Sequence, residues 1–256
     1  MKNEARSFLG SAPRRAVCIV LWLAFAAANA FATEVTFLGS SGNRQATLGF
    51  KMVGNVLYVT LRNTAMADAL TPTDMLGGVF FDTASNPVLT PEWARVDDGS
   101  CLIYPTDPGC SAPADPNVGG EWAYHYNSGS HRYGIGAVGF GFFSESDRFD
   151  TAQNLGGQVA VGGGNFSLAP KGDNPATDNG GLDHNGPYIR YGAAFTFTPP
   201  ANFDPSAAIS NVRFQYGTGF CELAIPGDSV PEPATMVLIG GGLIALGFLR
   251  RRRAAR

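Results

Sequence analysis

The segment Asn211-Val212-Arg213-Phe214-Gln215-Tyr216 carries the pattern that decides the fold. Its apolar side chains, Val212, Phe214 and Tyr216, alternate with polar ones, so they share one face of an extended strand. The same period of two recurs in Val35 and Phe37, in Leu57, Val59 and Leu61 against Tyr58, Thr60 and Arg62, in Trp122, Tyr124 and Tyr126, and in Phe195 and Phe197. We therefore expect one face of each strand to lie in a core and the other to face water.

Composition supports a turn-rich β protein. The 256 residues include 33 Gly and 17 Pro, and 45% are hydrophobic whereas only 15% are charged. Such a chain is neither a disordered acidic tail nor a charged coiled coil. Thr64 to Leu70 is long enough for one or two helical turns, and Pro105 to Gly120 and Pro170 to Pro187 are typical of surface loops. The pattern predicts an all-β fold, an antiparallel β-sandwich with jelly-roll-like order.

Residues 1–32 have the three parts of a secretory signal peptide. Basic residues precede an unbroken apolar run from Ala16 to Ala28, and small residues, Ala30 and Ala32, suit a signal peptidase. Thirteen apolar residues are too few to cross about 30 Å of hydrocarbon as a helix. We therefore predict cleavage before Thr33 and export of the rest of the chain.

Residues 230–256 form a second distinctive segment. Pro231, Glu232 and Pro233 are followed by sixteen apolar residues, Ala234 to Leu249, and then by the basic cluster Arg250, Arg251, Arg252 and Arg253. This order resembles the PEP-CTERM sorting signal of bacterial exosortase substrates. The resemblance implies a short transmembrane sorting tail that an exosortase cuts near Pro231 to Pro233. The arginine cluster stops translocation by remaining on the cytoplasmic side. An ordinary single-span anchor is the alternative.

The body between the two ends, residues 33–229, is acidic. With Glu232 included it holds twenty Asp and Glu against nine Lys and Arg, a net charge of about −11. Because phosphate backbones repel such a surface, nucleic-acid binding is not expected. No internal repeat or change in composition divides the body, so we expect a single domain.

Three cysteines remain in the body. Cys101 and Cys110 enclose a short Pro-, Asp- and Gly-rich loop and are the favoured disulfide pair in an exported protein. Cys221 is left as a buried free thiol, as the true partner of one of the other two, or as an intermolecular bridge.

Candidate metal ligands fall in two places. Asp173, Asp178 and Asp183, with Asn174 and Asn179, offer the oxygen ligands that Ca²⁺ takes. They do not follow the EF-hand order, and Asp and Asn are also ordinary turn formers, so turn chemistry is the favoured interpretation and no cofactor is required. His125 and His131 are a weaker pair for a transition metal.

Two further patterns would suit a sugar ligand. Trp122, Tyr124 and Tyr126, with Tyr133 close behind, would form a stacking platform if exposed, although aromatics at period two more often fill a core. Glu121 with Glu145 or Asp147 would supply a glycosidase carboxylate pair. The sequence has no nucleophile elbow, zinc motif or phosphate loop in the body.

The favoured interpretation is therefore a non-enzymatic exported protein. An exosortase processes it after an inner-membrane intermediate, and it reaches the cell surface or extracellular matrix. Its expected role is structural or adhesive in exopolysaccharide or biofilm. The alternative is a secreted carbohydrate-binding module or glycoside-active enzyme.

Overall fold

The computed structural model describes residues 34–104, 107–113, 115–127, 131–137, 141–149, 165–174, 186–230, 240–242 and 250. Within them the chain forms β1 Glu34–Ser41, β2 Arg44–Val53, β3 Val56–Asn63, β4 Leu76–Thr83, β5 Thr90–Val96, β6 Cys101–Tyr104, β7 Asp107–Ser111, β8 Ala123–Tyr126, β9 Tyr133–Gly136, β10 Leu168–Ala169, β11 Tyr188–Arg190, β12 Gly192–Thr198, β13 Ile209–Tyr216 and β14 Ala224–Val230. The named helical elements are short, namely α1 Pro205–Ala208 and the 3-10 turns Pro72–Asp74 and Glu145–Asp147, and the described residues 240–242 and 250 are also helical. Over the described ranges, no helix has both the length and the apolar character that crossing a bilayer requires.

The strands join into one large mixed sheet. Their hydrogen-bonded order is β5-β12-β3-β2-β1-β14-β13-β4-β10-β11-β6-β7, and β9 pairs with both β4 and β8. The named pairs are antiparallel apart from β10 and β11, which run parallel. The all-β prediction is confirmed at this level, and the jelly-roll-like sandwich order stays a prediction.

Strand β3 shows how the alternating pattern builds the core. Leu57, Val59 and Leu61 are completely buried, while Tyr58 and Arg62 on the opposite face are partly exposed. Full burial of one such aliphatic side chain stabilises the fold by roughly 1.5–3 kcal/mol. The core therefore lies on the face that the alternation predicted.

Strands that are distant in the hydrogen-bonded order meet across this core. The rings of Phe50 in β2 and Phe81 in β4 contact each other edge to face, with centroids 5.1 Å apart. Trp122, just before β8, contacts Phe195 in β12 at the same 5.1 Å centroid distance. Because both contacts join strands that are not neighbours in the sheet, the sheet must fold back over itself around the core.

Two predicted segments differ in the structure. The segment Thr64 to Leu70 has no helix, and the 3-10 turn begins afterwards at Pro72. The 3-10 turn starts at Pro72 because the Asp74 carboxylate accepts hydrogen bonds from the backbone N–H groups of Leu70 (3.1 Å) and Thr71 (3.0 Å). The predicted loop Pro105 to Gly120 contains strand β7, which pairs with β6.

A disulfide between Cys101 in β6 and Cys110 in β7 fixes that pairing. Their Cα atoms are 5.4 Å apart, and this is the pair that the short loop favoured. Cys221 carries a free thiol and is exposed, so two of its three alternatives, a buried thiol and a bond to Cys101 or Cys110, were wrong.

Candidate functional site

The predicted processing residues lie mostly outside the described part of the chain. These residues are Ala30, Ala32, Pro231, Glu232, Pro233, Arg251, Arg252 and Arg253, and Arg250 is described only in isolation. The structure does describe the strands to which both processing segments attach. Strand β1 begins at Glu34 and β14 ends at Val230.

These two strands bring the ends of the body together. They pair antiparallel, with Thr36 opposite Val230 and Phe37 opposite Ser229. The last three residues of β14 are exposed. Strand β14 ends where Pro231 follows, as expected because proline has no N–H to continue a ladder. The two predicted cleavage points therefore adjoin the same pair of neighbouring strands.

The aromatic side chains that would form a stacking platform if exposed lie in the core. Trp122, Tyr124 and Tyr133 are buried in the core, and Tyr126 is half-buried against it. Tyr124 packs edge to face on Phe197, with ring centroids 4.9 Å apart, and burial raises the pKa of the Tyr124 hydroxyl. The core placement that the alternation favoured is therefore confirmed, and the exposed platform, the less favoured alternative, was wrong.

The predicted carboxylate pair does not share an open cleft among the described side chains. Glu121 is only 2% exposed, so a substrate has no access to its carboxylate. Asp147 accepts hydrogen bonds from the backbone N–H (2.8 Å) and hydroxyl (2.9 Å) of Ser144, and lies 3.3 Å from Nδ1 of His125. The Glu145 side chain lies outside what the structure describes.

The metal candidates are also separated. His125 lies beside Asp147, whereas Nδ1 of His131 is 3.3 Å from the amide nitrogen of Asn211. Burial lowers the pKa of the His131 imidazole, with the charge of Asp82 acting in the opposite direction. No group of three His, Cys, Asp or Glu able to hold a metal occurs in the described ranges.

Of the three predicted calcium ligands, only Asp173 is described. Its carboxylate is buried and accepts the backbone N–H of Ala69 at 2.9 Å, which joins two loops. Asp178 and Asp183 lie outside the described residues. Asp173 therefore has a clear structural task in addition to any ligand it would bind.

A groove crosses the outer face of the sheet, on strands β5, β12, β3 and β2. It has a volume of about 460 Å³, within the roughly 300–1,000 Å³ range of small-ligand sites. Its residues lie on one face because directly paired residues of neighbouring strands point to the same side. The face is the one opposite the core, since it carries Tyr58 and Arg62 of β3.

Strand register defines the floor of this groove. Arg95, Ala194, Thr60 and Gly49 are paired in one row across four strands. A Cβ atom built on Gly49 would lie 2.8 Å from the Thr60 hydroxyl, so only glycine leaves this part of the floor open. Small residues thus occupy three successive positions of the row.

Larger side chains in the two adjacent rows form the walls. On one side, Trp93 and Tyr58 both pair with Thr196 and place their rings edge to face above it, with centroids 6.2 Å apart. On the other side, Nε of Arg62 donates to the Asp97 carboxylate at 2.6 Å. An aromatic wall and a charged wall therefore face each other across a floor of small residues.

Two of the three cations that line the groove, Arg62 and Lys51, pair with carboxylates. Burial alone would lower the pKa of the Arg62 guanidinium, but the hydrogen bond and charge of Asp97 outweigh it and raise that pKa. Lys51 lies 3.5 Å from the Glu34 carboxylate, and the Arg95 guanidinium stacks over the Trp93 ring, 3.7 Å from its centroid. The groove thus presents fixed donors, acceptors and an aromatic surface.

A signal for the groove was present in the sequence. Alternation placed Tyr58, Thr60 and Arg62 on the face away from the core, and an aromatic residue on a solvent face marks a candidate contact surface. Trp93 and Arg95 alternate in the same way, but their alignment with β3 depends on β12, about a hundred residues later in the chain.

The comparisons with known proteins concern the C-terminal segment. Residues 229–253 match the family model for the PEP-CTERM protein-sorting motif, which confirms the resemblance seen in Pro231-Glu232-Pro233 and the arginine cluster. The chain therefore carries the signal of an exported protein that an exosortase targets to the cell surface. No curated protein and no solved structure matches the chain.

Proposed function

We propose that the chain loses both ends on export and that its β-rich body then acts as a structural or adhesive protein in extracellular polysaccharide or biofilm. A signal peptidase removes residues 1–32, and an exosortase cleaves near Pro231 to Pro233 after the tail has entered the inner membrane. The observation that carries the proposal is the sorting motif at residues 229–253.

The geometry of the body supports this order of events. The motif begins at Ser229, inside β14, and that strand pairs with β1 at the other end of the body. The pairing can form only when both strands are on the same side of the membrane. Folding therefore follows complete export of the body, and cleavage releases a domain whose ends are already held by hydrogen bonds.

An acidic exterior is consistent with a soluble body once the tail is removed. The net charge of about −11 over the body keeps copies apart and weakens binding to anionic surfaces. A glycoside-active enzyme is less well supported, because Glu121, one of its proposed carboxylates, is buried.

Intact-mass analysis of the protein from its native host tests the processing steps. We expect a main species that begins at Thr33 and ends within residues 230–233, and we expect C-terminal loss to disappear in a strain without exosortase. Glu232→Ala should retain the tail, whereas Glu92→Ala, an exposed glutamate of the body, should be processed normally. Mature protein that extends to Arg256 in the parent strain would contradict the proposal.

A further inference from the structure

We propose that the groove on the outer face of the sheet binds a segment of a neutral polysaccharide. This inference deepens the proposed surface role, but it rests on the groove itself and does not depend on cleavage of the tail. The residues that carry it are Trp93, Tyr58, Arg95, Arg62 and Asp97.

The shape of the groove suits a chain of sugar rings. Its floor runs perpendicular to the strands, from Arg95 through Ala194 and Thr60 to Gly49. Four strands at a spacing of about 4.8 Å give it a length of about 14 Å. A groove of this kind can hold part of a longer polymer that continues past both ends.

The chemistry of the two walls matches the two kinds of sugar surface. The C–H face of a pyranose packs against aromatic rings, which Trp93 and Tyr58 supply at the rim. Sugar hydroxyls both donate and accept hydrogen bonds, and the opposite wall offers a donor in the partly exposed Arg62 and an acceptor in the exposed Asp98. Because the buried Asp97 carboxylate holds the Arg62 guanidinium at 2.6 Å, that donor is already positioned before a ligand arrives.

Charge favours a neutral polymer over an acidic one. Lys51, Arg62 and Arg95 line the groove with three carboxylates, those of Glu34, Asp97 and Asp98, so the formal charge of the lining is zero. The surrounding body is strongly acidic, and its field would repel a polyuronate or a nucleic acid. A neutral polymer meets neither repulsion nor the need to break an ion pair.

The edge of the sheet argues against a peptide ligand. A peptide that adds to a sheet needs an unpaired strand edge, and β5 is the terminal strand of the order. Beside the groove floor, from Ala94 to Val96, its edge is covered, because the N–H of Val96 donates to the carbonyl of Pro116 (2.8 Å) and the N–H of Val118 donates to the carbonyl of Ala94 (3.0 Å). The open surface of β5 is therefore its side-chain face.

Affinity electrophoresis of the full-length chain tests the proposal. The chain is purified in a polyoxyethylene detergent, which has no sugar headgroup to compete for the groove. Native gels contain a neutral polymer (β-glucan, xyloglucan, galactomannan or dextran) or an acidic one (alginate or polygalacturonate). We expect retardation in at least one neutral gel and none in the acidic gels.

Variants locate the binding. We expect about tenfold weaker affinity for the polymer, seen as reduced retardation, in each of Trp93→Ala, Tyr58→Ala and Arg95→Ala. This is the size expected for a central contact residue. Tyr126→Ala and Arg132→Ala are matched controls, since Arg132 stacks over Tyr126 at 5.4 Å elsewhere in the fold. Ala194→Gln keeps both walls but fills the floor of the groove, so it should abolish retardation. This variant therefore tests the groove even if an aromatic variant fails to fold.

Each outcome decides the inference. Retardation by a neutral polymer that falls in the groove variants, with unchanged melting temperatures, supports it. Retardation only by acidic polymers, retardation that survives Ala194→Gln and Arg95→Ala, or no retardation by any neutral polymer overturns it. Because the assay uses purified protein with its tail intact, failure here leaves the exosortase proposal untouched, and failure of processing in cells leaves this test valid.

Discussion

Gly39 of β1 lies directly against the ring of Phe214 in β13. A Cβ atom built on Gly39 would lie 2.6 Å from Cδ2 of that ring and 2.9 Å from the carbonyl oxygen of Pro226. A Cβ atom built on Gly227, in β14 between these strands, would lie 2.9 Å from Cε2 of the same ring. The fully buried Phe214 side chain therefore occupies the space that two glycines leave open where the first and last strands join.

Gly39→Ala is expected to lower the free energy of unfolding by about 1–3 kcal/mol, the usual effect of overpacking a core. The reason is that backbone on one side and a buried ring on the other leave the new methyl group no space. Urea denaturation of the full-length chain in detergent measures the effect. Gly219→Ala is the control, since a Cβ there meets nothing within 4 Å. Equal stability of the two variants would show that Phe214 is free to move.

The disulfide provides a second prediction. Removing Cys101 and Cys110 together, as serines, should lower the free energy of unfolding by about 2.7 kcal/mol, the loop-closure value for about ten residues. Cys221→Ser should change it by less than about 0.5 kcal/mol, because this thiol is free and exposed. The measurement is thermal unfolding with and without reductant, and reductant should affect only chains that retain both Cys101 and Cys110.

The side chain of Asn63 provides the third prediction. It is fully buried, and its amide nitrogen donates to the carbonyls of Leu168 (2.9 Å) and Asp74 (3.2 Å), joining β3 to β10 and to the 3-10 turn. Asn63→Ala leaves both carbonyls without this donor and should lower the free energy of unfolding by about 1–3 kcal/mol. Asn55→Ala, in the exposed β2–β3 turn, should be neutral in the same denaturation experiment. A neutral Asn63→Ala would mean that water replaces the amide.

The fourth prediction concerns pH. Burial raises the pKa of Asp173 above its ordinary value, and the hydrogen bond from Ala69 only partly offsets this. The folded state therefore holds this proton more tightly than the unfolded state does. The contribution of protonated Asp173 to stability is complete below pH 3.8, the ordinary pKa, and is lost as pH rises through the raised pKa of the folded state.

Asp173→Asn keeps an oxygen for the Ala69 N–H and does not ionise. We expect this variant to be more stable than the parent at pH 7, with the difference vanishing near pH 3.5. Asp228→Asn, at an exposed position, is the control for the substitution itself. Melting curves with Ca²⁺ and with EDTA test the calcium alternative. A parent protein that loses stability in EDTA, and a variant that is less stable in Ca²⁺, would show that Asp173 binds the ion.

Local patterns predicted the parts of the fold that depend on one strand at a time. Leu57, Val59 and Leu61 alternate, and each is buried as expected. Strand β4 is buried on both faces from Leu76 to Phe81, so no alternation reveals it. The pairing of Thr36 with Val230 joins residues at opposite ends of the body, and it depends on the whole sheet rather than on either segment.

The candidate groove shows the same limit. Alternation placed Tyr58 on the outer face, but three strands from separate parts of the chain align it with Trp93. Trp122 alternates with its neighbours just as clearly, yet its ring is buried against Phe195, as the core interpretation expected. The period of a strand identifies its two faces, and only the packing of the other strands decides which face meets water.

The last prediction concerns access to the sorting motif. The motif begins at Ser229, and both Ser229 and Val230 are still paired with β1, so no spacer separates the folded sheet from Pro231. Under the proposed cleavage, the exosortase must work against a folded edge or wait until the last pairs open. Opening the end of a strand takes a small free energy. If that free energy is about 1 kcal/mol, the need to open the strand slows cleavage about fivefold.

Inserting Gly-Ser-Gly-Ser between Val230 and Pro231 should therefore speed loss of the tail about fivefold in a pulse-chase experiment, without changing the melting temperature. The same four residues inserted between Gly54 and Asn55, in the β2–β3 turn, control for insertion itself and should leave the rate unchanged. Faster cleavage in the first variant alone means that the end of β14 limits access. An unchanged rate means that the enzyme accepts Pro231 at the folded edge, and that release of the body needs no opening of the sheet.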